Sequence, residues 1–166
     1  MRDGIAALPM YDWVEVRAAT DRFWAAVRDG LRARGVAAPE ALARGLGLAA
    51  GWTHPRLVLG QTCGLPLVRD LAGRVELVGA GDYGLEACPP GWYRSVVVVR
   101  ADDPREGLAD FRGARLAING TDSQSGWGAM LHHAAPLARE GRFFGGVTAS
   151  GAHAASVRLV AAGGAD

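Results

Sequence analysis

Apolar residues fall in short runs broken by glycine, proline and small polar residues, and the period of the runs alternates along the chain. Ile5 to Leu8 is an apolar run closed by Pro9, which predicts a first strand. Val16, Phe23, Trp24, Val27 and Leu31 then recur at roughly helical spacing, predicting a helix from about Trp13 to Arg34 with Gly35 as its stop. Asp12-Trp-Val-Glu15 ahead of it has the spacing of a capping box. Pro39 to Trp52, rich in Ala, Leu and Gly, predicts a weak helix. Leu57 to Gly60 predicts a buried strand, and Gln61-Thr-Cys-Gly-Leu-Pro66 a turn into a short helix reaching Leu71.

Arg74 to Val78 predicts another strand, followed by the glycine-rich loop Gly79 to Gly84 and a turn at Cys88-Pro-Pro-Gly91. Tyr93 to Arg100 holds four consecutive valines. A β-branched run of that kind predicts a central strand buried on both faces. Leu108 to Phe111 predicts a helical turn, Arg115 to Ile118 a strand, and Ser125 to Ala138 a helix. Arg142 to Thr148 predicts a strand and Gly151 to Ala162 a helix stopped at Gly163-Gly164. Strands alternating with helices imply an α/β fold with a mainly parallel sheet.

Composition narrows the function. The 166 residues are 49% hydrophobic, enough for a core. A net charge of +1 with 21% charged residues argues against a nucleic-acid partner, which requires a basic face. All 18 basic residues are arginine, so Schiff-base and P-loop lysines are excluded. Cys63 and Cys88 are too few for a disulfide framework or a metal finger, and their pairing stays open. No metal or cofactor is expected. No apolar run reaches membrane-span length. Met1-Arg-Asp-Gly-Ile-Ala lacks a signal peptide's regions, so the expectation is periplasmic if a leader has been removed and cytoplasmic otherwise.

The candidate chemistry sits in two turns. Asn119-Gly-Thr-Asp-Ser-Gln-Ser-Gly-Trp127 and Ser150-Gly-Ala-His-Ala-Ala-Ser156 each read as a strand end, a polar turn and a helix start. First-turn N–H groups have no helical partner there, which suits a bound anion. Ser123 and Ser125 have an ordinary reading as helix N-caps. As a site, their hydroxyls and the N–H groups of Ser125, Gly126 and Trp127 converge on an oxyanion. Thr121 follows the same logic, and Asp122 is expected to point away. His153 is either a first-turn surface residue or a donor to a ligand oxygen. Ser150 and Gly151 complete the second turn, and Ser156 lies near the His153 face. Tyr11, just past the first strand, either packs on Trp13 or contacts a ligand, and Tyr83 is a weaker candidate of the same kind. Trp52, Trp92 and Trp127 are read as core or lobe-interface residues. Adjacent His132 and His133 face different directions and make a poor metal pair.

The segments Ala7-Leu-Pro-Met-Tyr-Asp12, Gln61-Thr-Cys-Gly-Leu-Pro-Leu67 and Tyr93-Arg-Ser-Val-Val-Val-Val99 occur in order with Leu108 to Ala117, Asn119 to Gly126, Ser150 to Ser156 and Gly163-Gly-Ala-Asp166. In that order the chain resembles the phosphate/phosphonate substrate-binding proteins of ABC transporters, the PhnD-like family. The resemblance implies a two-lobed type 2 periplasmic-binding-protein fold, with Val96 to Val99 as the first crossover between lobes. It implies family anion contacts at Ser123, Ser125, Gly126 and His153. The family pattern continues past Gly-Ala-Asp, whereas this chain stops at Asp166. The implied lobes are therefore 1–95, without its closing elements, and 96–166, in part.

The expected function is a solute-binding component, not an enzyme, that takes a small oxyanion such as phosphate or a phosphonate and delivers it to a membrane permease. The expected ligand contacts are Tyr11, Thr121, Ser123, Ser125, Gly126, Ser150, Gly151 and His153. Two alternatives stand beside it: a cytoplasmic sensing module of the same fold, and an enzyme using Cys63, at a strand-to-helix turn, as nucleophile with His54 or His153 as partner. Pairing of two copies as a homodimer across an exposed strand edge also stays open.

Overall fold

The computed structural model describes residues 4–166. The chain forms two compact units, Met1–Glu76 and Leu77–Asp166. The expected lobe boundary at 95/96 falls inside the second of them.

In the first unit, β1 (Ile5–Ala7) pairs in parallel with β2 (Leu57–Gly60). Between them run a 3-10 turn (Val14–Val16), helix α1 (Arg17–Ala33) and the short helix α2 (Leu48–Trp52); α3 (Gly64–Arg69) follows β2. Helix α1 ends where the sequence predicts. Gly35, at φ +78°, donates its N–H to the Arg32 carbonyl, and Val36 donates to the Leu31 carbonyl. These two bonds make a Schellman cap, which glycine enters without a Cβ penalty. The core gathers Trp24 of α1 with Ala6, Ala38 and Leu42, and Leu8, Val27, Leu31 and Leu59 pack against it.

Two local expectations fail in this unit. The Asp12/Glu15 capping box does not form. Trp13 is the N-cap of the 3-10 turn without a side-chain bond, because the Asp12 carboxylate is taken by Arg44. The Pro39–Trp52 helix shrinks to its last five residues, behind Gly45 at φ +85°. Trp52 anchors that stub by donating its indole N–H to the Gln61 carbonyl at 2.8 Å.

In the second unit, β3 (Arg115–Ile118) pairs in parallel with β4 (Gly146–Ala149) over all four residues of each. A π-helical turn (Gln124–Gly128) runs directly into α4 (Ala129–Ala134), and α5 (His153–Ala161) follows β4. Ile118, Ala114, Ala134, Phe143, Val160 and Ala165 are buried. Helix α5 repeats the Schellman ending, with Gly163 bonded to Val160 and Gly164 to Leu159. Parallel pairs joined through helices make this an α/β fold.

The strands expected at Arg74–Val78 and Tyr93–Arg100 are absent. Val96 is 73% exposed and Val97 63%, so the valine run is an unpaired surface segment and not a buried strand. β-propensity records how well a residue suits a pleated, half-buried surface, and here no neighbouring strand supplies that surface. Trp92, read as an interface or core residue, is likewise exposed.

Trp24 is 2% exposed and fills the centre of the first unit. Trp24→Ala should cost about 3–5 kcal/mol, since it removes the ring and leaves a cavity behind. Urea unfolding followed by far-ultraviolet circular dichroism measures it; a loss below about 1 kcal/mol would place the ring outside the stabilising core.

Candidate functional site

Both turns singled out in the sequence leave the same edge of one sheet. β3 and β4 are parallel and in register, so the segments after Ile118 and after Ala149 emerge side by side at their C-terminal ends. That edge is where open α/β sheets hold ligands. The pairing continues past the strands: Ser150 N–H donates to the Ile118 carbonyl at 2.8 Å, and Gly151 N–H to the Asn119 carbonyl at 3.0 Å. Gly151 sits at φ +86°, a conformation open to glycine.

Ser123 is 3% exposed and its hydroxyl accepts the Gly126 N–H at 3.1 Å. It is the N-cap of the π-helical turn, the ordinary reading of a serine there. The Trp127 and Gly128 N–H groups both go to the Ser123 carbonyl. The amides of Gly126 and Trp127, expected to face a ligand, are thus closed within the turn. A Cβ at residue 126 would run into the Asn119 side-chain oxygen, which would have to move aside.

Two polar atoms are left over. Ser125 Oγ and Asn119 Oδ1 are buried and have no hydrogen-bond partner. Buried polar atoms are nearly always satisfied, so two unsatisfied ones in a single turn stand out. Ser125 is also held through its backbone, where its carbonyl accepts from Ser95 Oγ at 2.7 Å. Thr121 and Asp122 are exposed.

In the second turn Ser150 Oγ donates to the Ala152 carbonyl and lies 2.7 Å from Ser156 Oγ. Its hydroxyl therefore fastens the start of α5, with Ser156 as its partner. His153 is the first residue of α5, half-buried. Past β1 in the first unit, Tyr11 packs edge-to-face on Trp13 with ring centroids 6.0 Å apart.

Cys63 is the N-cap of α3, its sulfur 4.0 Å from the Met10 sulfur, and His54 Nδ1 accepts the Arg56 N–H in a local turn. Neither Cys63 nor Cys88 is in a disulfide. Among the described residues no group of three or more His, Cys, Asp or Glu is placed to hold a metal ion.

A model of the periplasmic substrate-binding proteins of phosphonate ABC transporters matches residues 67–166. The chain belongs to this family. The match covers well over half of the chain and contains both turns, while the segments Ala7 to Asp12 and Gln61 to Pro66 lie before it. No curated protein matches the chain. Membership of this phosphonate-binding family makes the chain a binding-protein domain by family rather than a member of an enzyme family. No helix among the described residues is long and apolar enough to cross a membrane.

Sequence reasoning missed a second concave feature, within the first unit. A cleft of about 150 Å³ opens past β1, bordered by Leu8, Asp12, Arg17, Arg44 and Trp52. Arg44 grips Asp12 with both arms, Nε to Oδ2 at 2.6 Å and Nη2 to Oδ1 at 3.0 Å, and reaches Asp21 at 2.8 Å. Arg17 Nε stands 3.9 Å from Asp12. Only long-range pairing builds this cluster, and no short motif announces it.

The hydrogen bond from Arg44 holds the Asp12 carboxyl below its ordinary value. A carboxyl depressed in the folded chain adds stability that is in place above its unfolded value, about 3.9, and is lost as pH falls through the folded value. Arg44→Ala should let Asp12 rise toward 3.8 and move the acid-unfolding midpoint to higher pH. Carboxyl titration by NMR together with acid unfolding tests this; an unmoved midpoint would mean that the pair does not stabilise the fold.

Proposed function

We propose that this chain is the solute-binding component of an ABC transporter that takes a small oxyanion, phosphate or a phosphonate, at the C-terminal end of the β3–β4 sheet, and that it works in the periplasm. The observation that carries this reading is the unsatisfied, buried Ser125 hydroxyl within a turn tied directly to the second turn. Ser125, Thr121 and the His153 side chain supply donors to the ligand. Ser123, Gly126, Ser150 and Gly151 contribute by shape: their bonds hold the two turns at a fixed separation, so little ordering is left for binding to impose. Tyr11 is proposed as a ligand contact belonging to the first unit.

No bond is made or broken in this role. A charged ligand oxygen accepting from a preset hydroxyl gains about 1.5–3 kcal/mol per bond. A membrane permease of the same transporter is the partner that receives the ligand.

Ser125→Ala should weaken binding of phosphate or methylphosphonate about tenfold to a hundredfold, the equivalent of one charge-assisted bond. Ser125→Asp should abolish binding by placing like charge against the anion. Titration calorimetry reads both, with circular dichroism as the folding control. Unchanged affinity in a folded Ser125→Ala chain would remove the serine from the site.

A further inference from the structure

At the opposite end of the same sheet lies a hollow of about 470 Å³, bordered by Arg112, Arg139, Glu140, Arg142, Phe143 and Phe144. Its volume is within the range of small-molecule sites, roughly 300–1,000 Å³. It is built ahead of the strands. Gly113 N–H donates to the Phe143 carbonyl at 2.8 Å and Gly145 N–H to the Ala114 carbonyl at 2.9 Å. A Cβ on Gly145 would strike the Gly113 carbonyl, so glycine is required for this approach.

Three arginines border it. Arg139 and Arg142 form an antiparallel bridge and exchange both backbone bonds, at 3.0 and 2.9 Å. Glu140 at φ +51° and Gly141 at φ +74° turn the chain between them, the positive-φ pair that a tight two-residue hairpin requires. Directly opposed residues in such a pair carry their side chains on one face. Arg112 is held from two sides: it donates to the Leu137 carbonyl, and its guanidinium lies 5.3 Å from the Phe143 ring centroid. Phe143 is itself buried and meets Phe144 edge-to-face.

Arg139 and Arg142 are exposed and directly opposed. Like charges directly opposite across a hairpin repel. None of the ion pairs among the described residues includes Arg112, Arg139 or Arg142. Glu140 is the one carboxylate on the border, against three cations. A bound polyanion adds an attraction to each guanidinium that offsets those repulsions. Planar guanidinium forks match phosphate oxygens two at a time.

We propose that this hollow is a second anion site, specific for a small molecule with at least two phosphate-type charges. The Arg139–Arg142 pair clamps one charged group, and the anchored Arg112 reads the next. The site shares no residue with the serine turns.

Pyrophosphate is the probe, used on the full chain in the presence of saturating methylphosphonate to keep the two sites apart. Calorimetry should give one pyrophosphate per chain, and NMR should place amide shifts at Glu140 to Gly145 and not at Ser123 to Gly126. Arg139→Gln with Arg142→Gln should weaken binding at least tenfold. Arg139→Lys with Arg142→Lys keeps the charge and loses the fork, and should weaken it severalfold. No pyrophosphate bound by the wild-type chain, or equal affinity in wild type and both paired variants, overturns the proposal. Loss of methylphosphonate binding alone would strike the serine-turn reading and leave this one standing.

Discussion

The second unit depends on the register of one parallel strand pair. β3 and β4 match residue for residue, and the ladder extends beyond both of its ends. At one end it continues through Ser150 and Gly151, at the other through Gly113 and Gly145. A slip of one residue would turn every side chain to the wrong face. It would take Ile118 out of the core and separate the serine turns, and it would also dismantle the arginine hollow. At Gly145 the Gly113 carbonyl comes too close for a Cβ, so the ladder's approach there depends on glycine.

Within the serine turns the hydroxyls divide their work. Ser123 caps the π-helical turn, and Ser150 bonds to Ser156 and to the Ala152 carbonyl. Each of these bonds lowers the freedom of a donor that would otherwise have to be ordered by a ligand. Ser125 is the exception, with a hydroxyl that is buried and unsatisfied. Leaving a buried polar group unpaired costs about 1–3 kcal/mol, which a ligand oxygen at the proposed site would recover. The difference between Ser123 and Ser125 is therefore one of bonding, since the two are chemically identical and two residues apart.

The paired turns, the cap at Gly35 and the strands at residues 5–7, 57–60 and 115–118 were legible in the sequence because each is encoded over a few neighbouring residues. The family was legible too, from ordered segments that include both turns. What misled was the valine run. Four β-branched residues satisfy a strand's local preference, but a strand exists only against a partner, and Val96 and Val97 have none here. The Asp12 capping box failed for a related reason: Arg44, 32 residues away, offers a bidentate charged partner that outcompetes a neighbouring N–H group. Neither the Asp12–Arg44 cleft nor the arginine hollow has a motif, because both are assembled by contacts between segments.

The two ends of the β3–β4 sheet also differ in how they would hold negative charge. In the proposed reading the serine turns offer a neutral donor, the Ser125 hydroxyl, on a turn held by its neighbours' hydrogen bonds, and such a donor would respond chiefly to where a ligand's oxygens lie. The hollow at the other end offers guanidinium charge, which responds to the amount of charge presented and is screened by salt. Fixed neutral donors suit selection among oxyanions of equal charge, because Coulomb attraction alone barely separates them. Clustered arginines suit separation of polyanions from monoanions, because each added charge meets another cation. If both proposals hold, one short pair of strands would carry both kinds of chemistry, because its ladder sets the two ends apart without placing either set of residues in contact with the other.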